Sequence, residues 1–171
     1  MAEEIEETTQ SVPAASGPSN PLYLERTGVR QYVARNARGA EVLVGDGPGR
    51  FSPGDLLKLA LAGCNAMSSD ARFAAVLGDD FAQIAGVSAE YDEAEDRFTS
   101  MEIELLQDLS ALSEEETASL LRRAEAAIER RCTIAHTISH PVPHTLPTLL
   151  RSGFANSESR SAFRRCLPLG L

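Results

Sequence analysis

Alternating apolar and polar residues predict two β-hairpins in this chain. Near the N-terminal end, residues 23–34 and 40–44 are rich in Leu, Tyr and Val, and the turn-forming residues 36–39 join them. Farther along, apolar and polar residues alternate in residues 87–91 and 101–105, with an acidic turn between them. We therefore expect two pairs of antiparallel strands.

Apolar residues at three- and four-residue spacing predict a long helix between the hairpins. Ser52 can cap its N-terminal end, Pro53 suits the first helical position, and Asp55 favours the N-terminal end of the helix dipole. The helix should end near Gly78. Its predicted apolar stripe consists of Leu57, Ala60, Leu61, Cys64, Met67 or Ser68, Ala71, and Ala74 or Ala75.

A second helix follows the second hairpin. Ser113 and Glu116 form a capping-box pattern at its start, and Cys132 lies at or just past its end. Three prolines occur after it, which favours an edge strand over residues 142–150, since proline is excluded from central strands. The order β-β-α-β-β-α-β predicts an α+β fold, with an antiparallel sheet and long central helices.

Composition fits one ordinary domain. The 171 residues are 43% hydrophobic, which is enough to bury a core. Residues 1–20 are rich in Glu, Ser, Pro and Ala and are predicted to be disordered. The domain is expected over residues 21–150, and residues 151–171 form a tail without clear periodicity.

The charge and the apolar runs exclude some partners. A net charge of -9 repels phosphate backbones, so no nucleic-acid partner is expected. No apolar run approaches the ~20 residues that cross a bilayer, so no membrane partner is expected either. The N-terminal segment lacks the basic start and apolar middle of a signal peptide, which predicts a cytoplasmic protein.

Metal and cofactor sites are not expected. The three cysteines, Cys64, Cys132 and Cys166, are an odd number without CxxC spacing, which does not fit a structural zinc site. The histidines recur every four residues, but this spacing aligns ligands only on a continuous helix, which prolines interrupt before the third. These histidines are His136, His140 and His144.

Two segments resemble the OsmC/Ohr family of thiol peroxidases. Residues 51–64, FSPGDLLKLALAGC, match the family's helix signature, an S/N-P dipeptide followed by an apolar run that ends in the first cysteine. Arg131-Cys132-Thr133, directly after the second helix, matches the position of the second cysteine. Residues 25–45 look like the family's N-terminal hairpin, and the resemblance covers residues 22–150 in all.

The resemblance implies an intertwined homodimer with two active sites at the subunit interface. Cys64 would attack an organic hydroperoxide and become a sulfenic acid, and Cys132 would condense with it to a disulfide. A dithiol reductant, of the lipoamide type or a small thiol, would then restore both thiols without a cofactor. The attack requires a thiolate, because a free cysteine with a pKa of ~8.5 is only slightly ionised near neutral pH.

In this family an arginine of the N-terminal hairpin stabilises the thiolate, held by an acidic residue just ahead of the first cysteine. Arg30 is assigned to this position, with Arg35 as the alternative. The sequence departs from the family at Gly54, where hydroperoxide-resistance members carry a glutamate. Asp55 matches the glutamate of other branches with an S-P-x-E-L-L pattern, although it fits a plain helix-cap role equally well.

The main hypothesis is therefore a thiol-dependent peroxidase with Cys64, Cys132, Arg30 and Asp55 at its site. The alternative is a non-catalytic binding or redox-sensing protein of the same fold, with thiols kept for packing, ligand capture or slow disulfide formation. Cys166 lies in the arginine- and serine-rich tail and has no assigned role.

Overall fold

The computed structural model describes residues 22–140 and 142–144. In chain order the elements are β1 (Leu22–Gly28), β2 (Gln31–Asn36), β3 (Glu41–Gly45), α1 (Pro53–Leu77), β4 (Gln83–Asp92), β5 (Arg97–Gln107), α2 (Glu114–Arg131) and α3 (Thr133–Ser139). β1, β2 and β3 form one antiparallel sheet in that order, and β4 pairs with β5 in a second. The predicted α+β class with antiparallel strands and long helices is confirmed.

The prediction of a single strand over residues 23–34 is wrong, because the segment forms two strands, β1 and β2. The connection between them contains Arg30, whose φ of 55° lies in the left-handed region that residues other than glycine rarely adopt. No Asn-Gly or Asp-Gly pair marks this turn, so the sequence carried no hairpin signal there. Gly45 packs against the turn: a Cβ on it would lie 2.0 Å from the Arg30 carbonyl oxygen.

Helix α1 begins as predicted. The Ser52 hydroxyl accepts a hydrogen bond from the Asp55 backbone N–H, and the Asp55 carboxylate accepts one from the Ser52 N–H, each at 3.0 Å. The helix ends at Leu77, before Gly78 with its φ of 97°. This reciprocal capping box satisfies two backbone donors that the first helical turn leaves unpaired.

The predicted apolar stripe of α1 is wrong for part of its length. Met67 is 82% exposed, while the polar Asn65 and Ser69 are buried. Both polar side chains donate hydrogen bonds to carbonyls of their own helix, Asn65 to Leu61 and Ser69 to Asn65, so that burial leaves them paired. The buried residues of α1 are Leu61, Ala62, Asn65, Ser69 and Phe73.

Helices α1 and α2 share the buried core. Phe73 of α1 packs with Leu120 and Ala124 of α2. Leu77, Phe81, Leu105, Leu109 and Leu112 pack around this cluster. Burying aliphatic and aromatic side chains of this size contributes roughly 1.5–3 kcal/mol each. This core therefore holds α1 and α2 against each other. Cys132 and the residues after it continue directly from the end of α2.

The chain after α2 departs from the prediction. Cys132 is both the C-terminal cap of α2 and the N-terminal cap of the short helix α3, an element that was not predicted from the sequence. The proposed edge strand began at Val142, and residues 142–144 have no regular secondary structure. The rest of that strand, the N-terminal residues 1–20 and the tail that contains Cys166 lie outside the described residues.

Candidate active site

Folding brings the two predicted cysteines together. Cys64 lies near the middle of α1, and Cys132 lies between α2 and α3. Both are free thiols, and their side chains form a hydrogen bond with each other. A disulfide requires Cα atoms within ~7 Å of each other or a local rearrangement. The structure places the two thiols within interaction range, and the disulfide between them stays a prediction.

Hydrogen-bond donors surround the Cys64 sulfur. Burial raises the pKa of Cys64, but backbone N–H groups of Ile134 and Thr133, the Cys132 thiol and the Ser68 hydroxyl lower it, and the net pKa is below that of an ordinary thiol. Hydrogen bonds to the charged form favour that form. Cys64 is therefore the more thiolate-like, and the more nucleophilic, of the two cysteines.

Cys132 shows the opposite tendency. Its side chain is fully buried, and this burial raises the pKa of Cys132, as does the adjacent Cys64 sulfur; the Ala135 and Ile134 backbone N–H groups offset only part of the rise. A protonated Cys132 can donate its hydrogen bond to a Cys64 thiolate. The two environments thus separate the pKa values and give the thiols different roles.

A buried amide also contacts the pair. Asn65, 9% exposed, donates one hydrogen bond to the Leu61 carbonyl at 2.9 Å and another to Cys132 Sγ at 3.5 Å. The Ala135 N–H lies 3.3 Å from the same sulfur. Neither Asn65 nor the backbone N–H groups of α3 are among the site residues predicted from the sequence. The feature of the sequence that could have indicated Asn65 is its position directly after Cys64.

An open cavity of about 550 Å³ borders Cys64. Apolar residues of α1, among them Leu59, Ala60 and Met67, form much of its lining, and Arg131 adds a cationic residue. Small organic molecules bind in concave, mainly apolar sites of this size. The cavity therefore gives an organic molecule a route to Cys64, whereas Cys132 is fully buried.

The predicted arginines form ion pairs within residues 25–46. Arg30 pairs with Asp46, and both side chains are largely exposed. Arg35 pairs with Glu25 at 2.9 Å and also with Glu41. None of these three ion pairs involves Asp55 or a cysteine. The assignment of Arg30, or of Arg35, to the Cys64 thiolate stays a prediction.

Asp55 makes the contacts of a helix cap. It bonds Ser52, and its carboxylate lies 3.1 Å from Lys58 Nζ. The side-chain and backbone hydrogen bonds from Ser52, followed by that from Lys58, lower the pKa of Asp55 to about 2. These contacts support the cap role, while the proposed arginine clamp stays a prediction.

Phe98 occupies the space beside Gly54. A Cβ at position 54 would lie 3.0 Å from the tip of the Phe98 ring, which is tighter than ordinary contact. The Lys58 ammonium lies 5.8 Å from the centre of the same ring, within range of a cation–π interaction. A glutamate at position 54 would therefore require this ring to move. The glycine at position 54 therefore leaves room for the Phe98 ring, which a glutamate at that position would displace.

We expect Asp55→Asn to test the cap and clamp roles separately. If Asp55 only caps α1, the variant melts a few degrees lower near pH 7, and the alkylation of Cys64 by iodoacetamide is unchanged. Because the folded pKa is depressed, this stability is present above the unfolded value of ~3.9 and is lost as pH falls through about 2. Thermal melts from pH 7 to 2 should therefore converge for the variant and the wild type.

The clamp role predicts a different result for the same variant. Peroxide reduction would slow by about tenfold to a hundredfold, and Cys64 would alkylate more slowly, since the pKa of its thiol would rise. Unchanged turnover and alkylation would remove Asp55 from the site.

The histidines bond backbone groups. His136 Nε2 lies 2.7 Å from the Glu129 carbonyl oxygen, and His140 Nδ1 lies 2.8 Å from the His136 carbonyl oxygen. Within residues 22–140 and 142–144, no three His, Cys, Asp or Glu side chains are grouped as a metal would require. In the same part of the chain, no helix is long and apolar enough to cross a membrane.

Comparison with known proteins identifies relatives of the chain. A family model described as OsmC-like protein matches residues 45–146, which include both cysteines but neither Arg30 nor Arg35. Uncharacterised proteins of Mycobacterium tuberculosis H37Rv and Mycobacterium bovis are each 44% identical over 119 residues. This match spans 68% of the chain and 87% of each relative.

Solved structures share the fold at low sequence identity. A hypothetical protein from Aquifex aeolicus has a TM-score of 0.55 at 14% identity, over 70% of this chain and 86% of that one. A protein of Psychrobacter arcticus, provisionally assigned to osmotic stress and detoxification responses, has a TM-score of 0.53 at 22% identity. The match covers 70% of this chain and 88% of the Psychrobacter protein.

Proposed function

Because this chain belongs to the OsmC-like protein family, we propose that it is a thiol-dependent peroxidase that reduces organic hydroperoxides. The observation that carries the proposal is the hydrogen-bonded pair of Cys64 and Cys132, whose pKa values shift in opposite directions. A nucleophile with a lowered pKa beside a protonated, buried thiol is the arrangement that a two-cysteine cycle needs.

The first step takes place at Cys64. Its thiolate attacks one oxygen of the hydroperoxide, the O–O bond breaks, and the alkoxide leaves as an alcohol after it gains a proton. Cys64 becomes a sulfenic acid. The donors around this sulfur, Ser68 and the backbone N–H groups of Thr133 and Ile134, stabilise the thiolate that makes the attack.

The second and third steps use Cys132 and a reductant. The Cys132 sulfur attacks the Cys64 sulfenic acid, forms the disulfide and releases water. A dithiol then reduces the disulfide. Because Cys132 is fully buried while Cys64 borders the open cavity, we propose that the dithiol attacks the Cys64 sulfur.

Arg30 and Asp55 are proposed as supporting residues in the assembled protein. The family resemblance implies a site at a subunit interface, and we propose that the arginine acts from a second copy. In a single protomer Arg30 pairs with Asp46, and Asp55 bonds Ser52 and Lys58. These pairings mean that the arginine would have to exchange partners to serve Cys64.

Peroxide consumption tests the proposed function. The protein is mixed with cumene hydroperoxide and either dihydrolipoamide or dithiothreitol, and the remaining peroxide is measured over time. We expect many equivalents to be consumed per protomer, and protein pre-alkylated with iodoacetamide serves as the control. Consumption no faster than in the alkylated control would rule out the enzyme.

A redox sensor or a non-catalytic binding protein of the same fold is the second candidate. The observation that favours it is that both candidate arginines are already paired with carboxylates of residues 25–46. A sensor would form the disulfide once but turn over slowly with dithiol. A binding protein would not form it under mild peroxide. Either is proposed to act in the cytoplasm, where thiols stay reduced.

We also propose that the protein is a homodimer. Exposed apolar side chains occur on strands of both sheets and on α1, among them Leu22, Ile84 and Met67. Apolar surface of this kind, next to small residues of α1 such as Gly63, suits close contact with a second copy. Light scattering at micromolar concentration should give about twice the chain mass, and a monomer of 18.4 kDa would contradict the proposal.

A further inference from the structure

We infer that Asn65 is a positioning residue that holds the Cys132 sulfur and stabilises its thiolate when the disulfide forms. This inference rests on the proposed function. Its basis is that both amide hydrogens of Asn65 are used, one toward the Leu61 carbonyl and one toward Cys132 Sγ. The bond to Leu61 fixes the amide on α1 so that its second hydrogen meets the sulfur.

The need for such a donor follows from the burial of Cys132. Its side chain is fully buried, and a thiolate formed there cannot be solvated by water. The donors to the sulfur include the Asn65 amide at 3.5 Å and the Ala135 backbone N–H at 3.3 Å. Together they replace part of the missing hydration. Asn65 is the one that a substitution can remove.

The step is balanced with the groups present. Cys132 loses its proton, and its sulfur attacks the Cys64 sulfur. The S–O bond of the sulfenic acid breaks, and the departing hydroxide combines with the proton as water. No further oxidant is needed, because the hydroperoxide has already oxidised Cys64 by two electrons in the step before. Asn65 gains or loses no electrons and no protons in this step, because it only stabilises the attacking thiolate.

Asn65→Leu removes both hydrogen bonds and keeps the number and branching of the side-chain heavy atoms. We expect formation of the Cys64 sulfenic acid to keep its rate and disulfide formation to slow by about tenfold or more. The Cys64 sulfenic acid should then accumulate, which dimedone trapping followed by mass spectrometry would detect. The pH profile of disulfide formation should shift to higher pH. A purely structural role for Asn65 would not produce that shift.

Ser69→Ala is the matched control. Ser69 is buried on the same face of α1 and bonds the Asn65 and Ala66 carbonyls, not a sulfur. Its loss should leave disulfide formation unchanged. Asn65→Ala serves as a second variant in case the leucine disturbs folding, and it should show the same slow step.

Oxidation by glutathione disulfide separates this inference from the proposed peroxidase activity. Here glutathione first forms a mixed disulfide on Cys64, and Cys132 then displaces it, so the same thiolate attacks without any peroxide. Slower displacement in both Asn65 variants would support the inference even if the wild type did not reduce peroxides. Wild-type rates of displacement in both variants would overturn it.

Discussion

Replacing Cys64 with serine is expected to slow peroxide reduction by more than about a thousandfold, because the hydroxyl is a far weaker nucleophile than the thiolate. The contacts around this position bond a thiolate and lower the pKa of Cys64. Serine keeps the shape of the site but not its ionisation at neutral pH. The measurement is cumene hydroperoxide consumption with dithiothreitol, in parallel with the wild type.

The control for this variant is Cys166→Ser, which replaces the third cysteine of the chain. It should consume peroxide at the wild-type rate. If instead Cys166→Ser removed activity while Cys64→Ser kept it, the nucleophile would be misassigned.

Replacing Cys132 with serine should stop the cycle after the first step. A serine hydroxyl can still donate a hydrogen bond to the Cys64 thiolate, so Cys64 should react with the first equivalent of peroxide at nearly the normal rate. No disulfide can then form, and the sulfenic acid is exposed to further peroxide and oxidises to the sulfinic acid. We expect a fast first equivalent per protomer, a slower second equivalent that over-oxidises Cys64, and no further consumption.

Mass spectrometry of the Cys132→Ser variant after stepwise addition of peroxide checks this expectation. The mass should rise by one oxygen and then by two, with both on Cys64. Sustained turnover with dihydrolipoamide, without accumulation of oxidised Cys64, would show that Cys132 is not required.

The helices and strands that could be predicted from the sequence are those whose local patterns, such as capping residues or alternating apolar positions, match their environment in the fold. Both capping boxes and the helices they open follow from Ser52 and Ser113, because these caps are short-range hydrogen bonds. Strict alternation predicted β4 and β5. The helix-signature resemblance selected Cys64 and Cys132, which the fold brings into contact although they are far apart in the chain.

Other features depend on contacts that no local pattern contains. Arg30 takes a left-handed conformation that is rare for its residue type, so the turn between β1 and β2 was missed. The buried face of α1 includes Asn65 because the carbonyl of its own helix and the Cys132 sulfur satisfy its amide. A search for apolar stripes passes over such a residue. Helix α3 was missed because prolines follow it closely.

The assignment of Arg30 shows a different limit. A hairpin arginine can be selected by resemblance, but its partners depend on packing and on assembly. In one protomer Arg30 pairs with Asp46. Resemblance identifies which residues are candidates, while the contacts that would activate Cys64 have to be read from the structure.

Mapping the disulfide after mild oxidation tests the central claim most directly. The reduced protein is treated with one equivalent of cumene hydroperoxide, digested without reductant and analysed by mass spectrometry. We predict a single intrachain cross-link between the peptides of Cys64 and Cys132, which dihydrolipoamide reverses. Sulfinic acid on Cys64 with Cys132 still a free thiol, or a cross-link to Cys166 instead, would contradict the account.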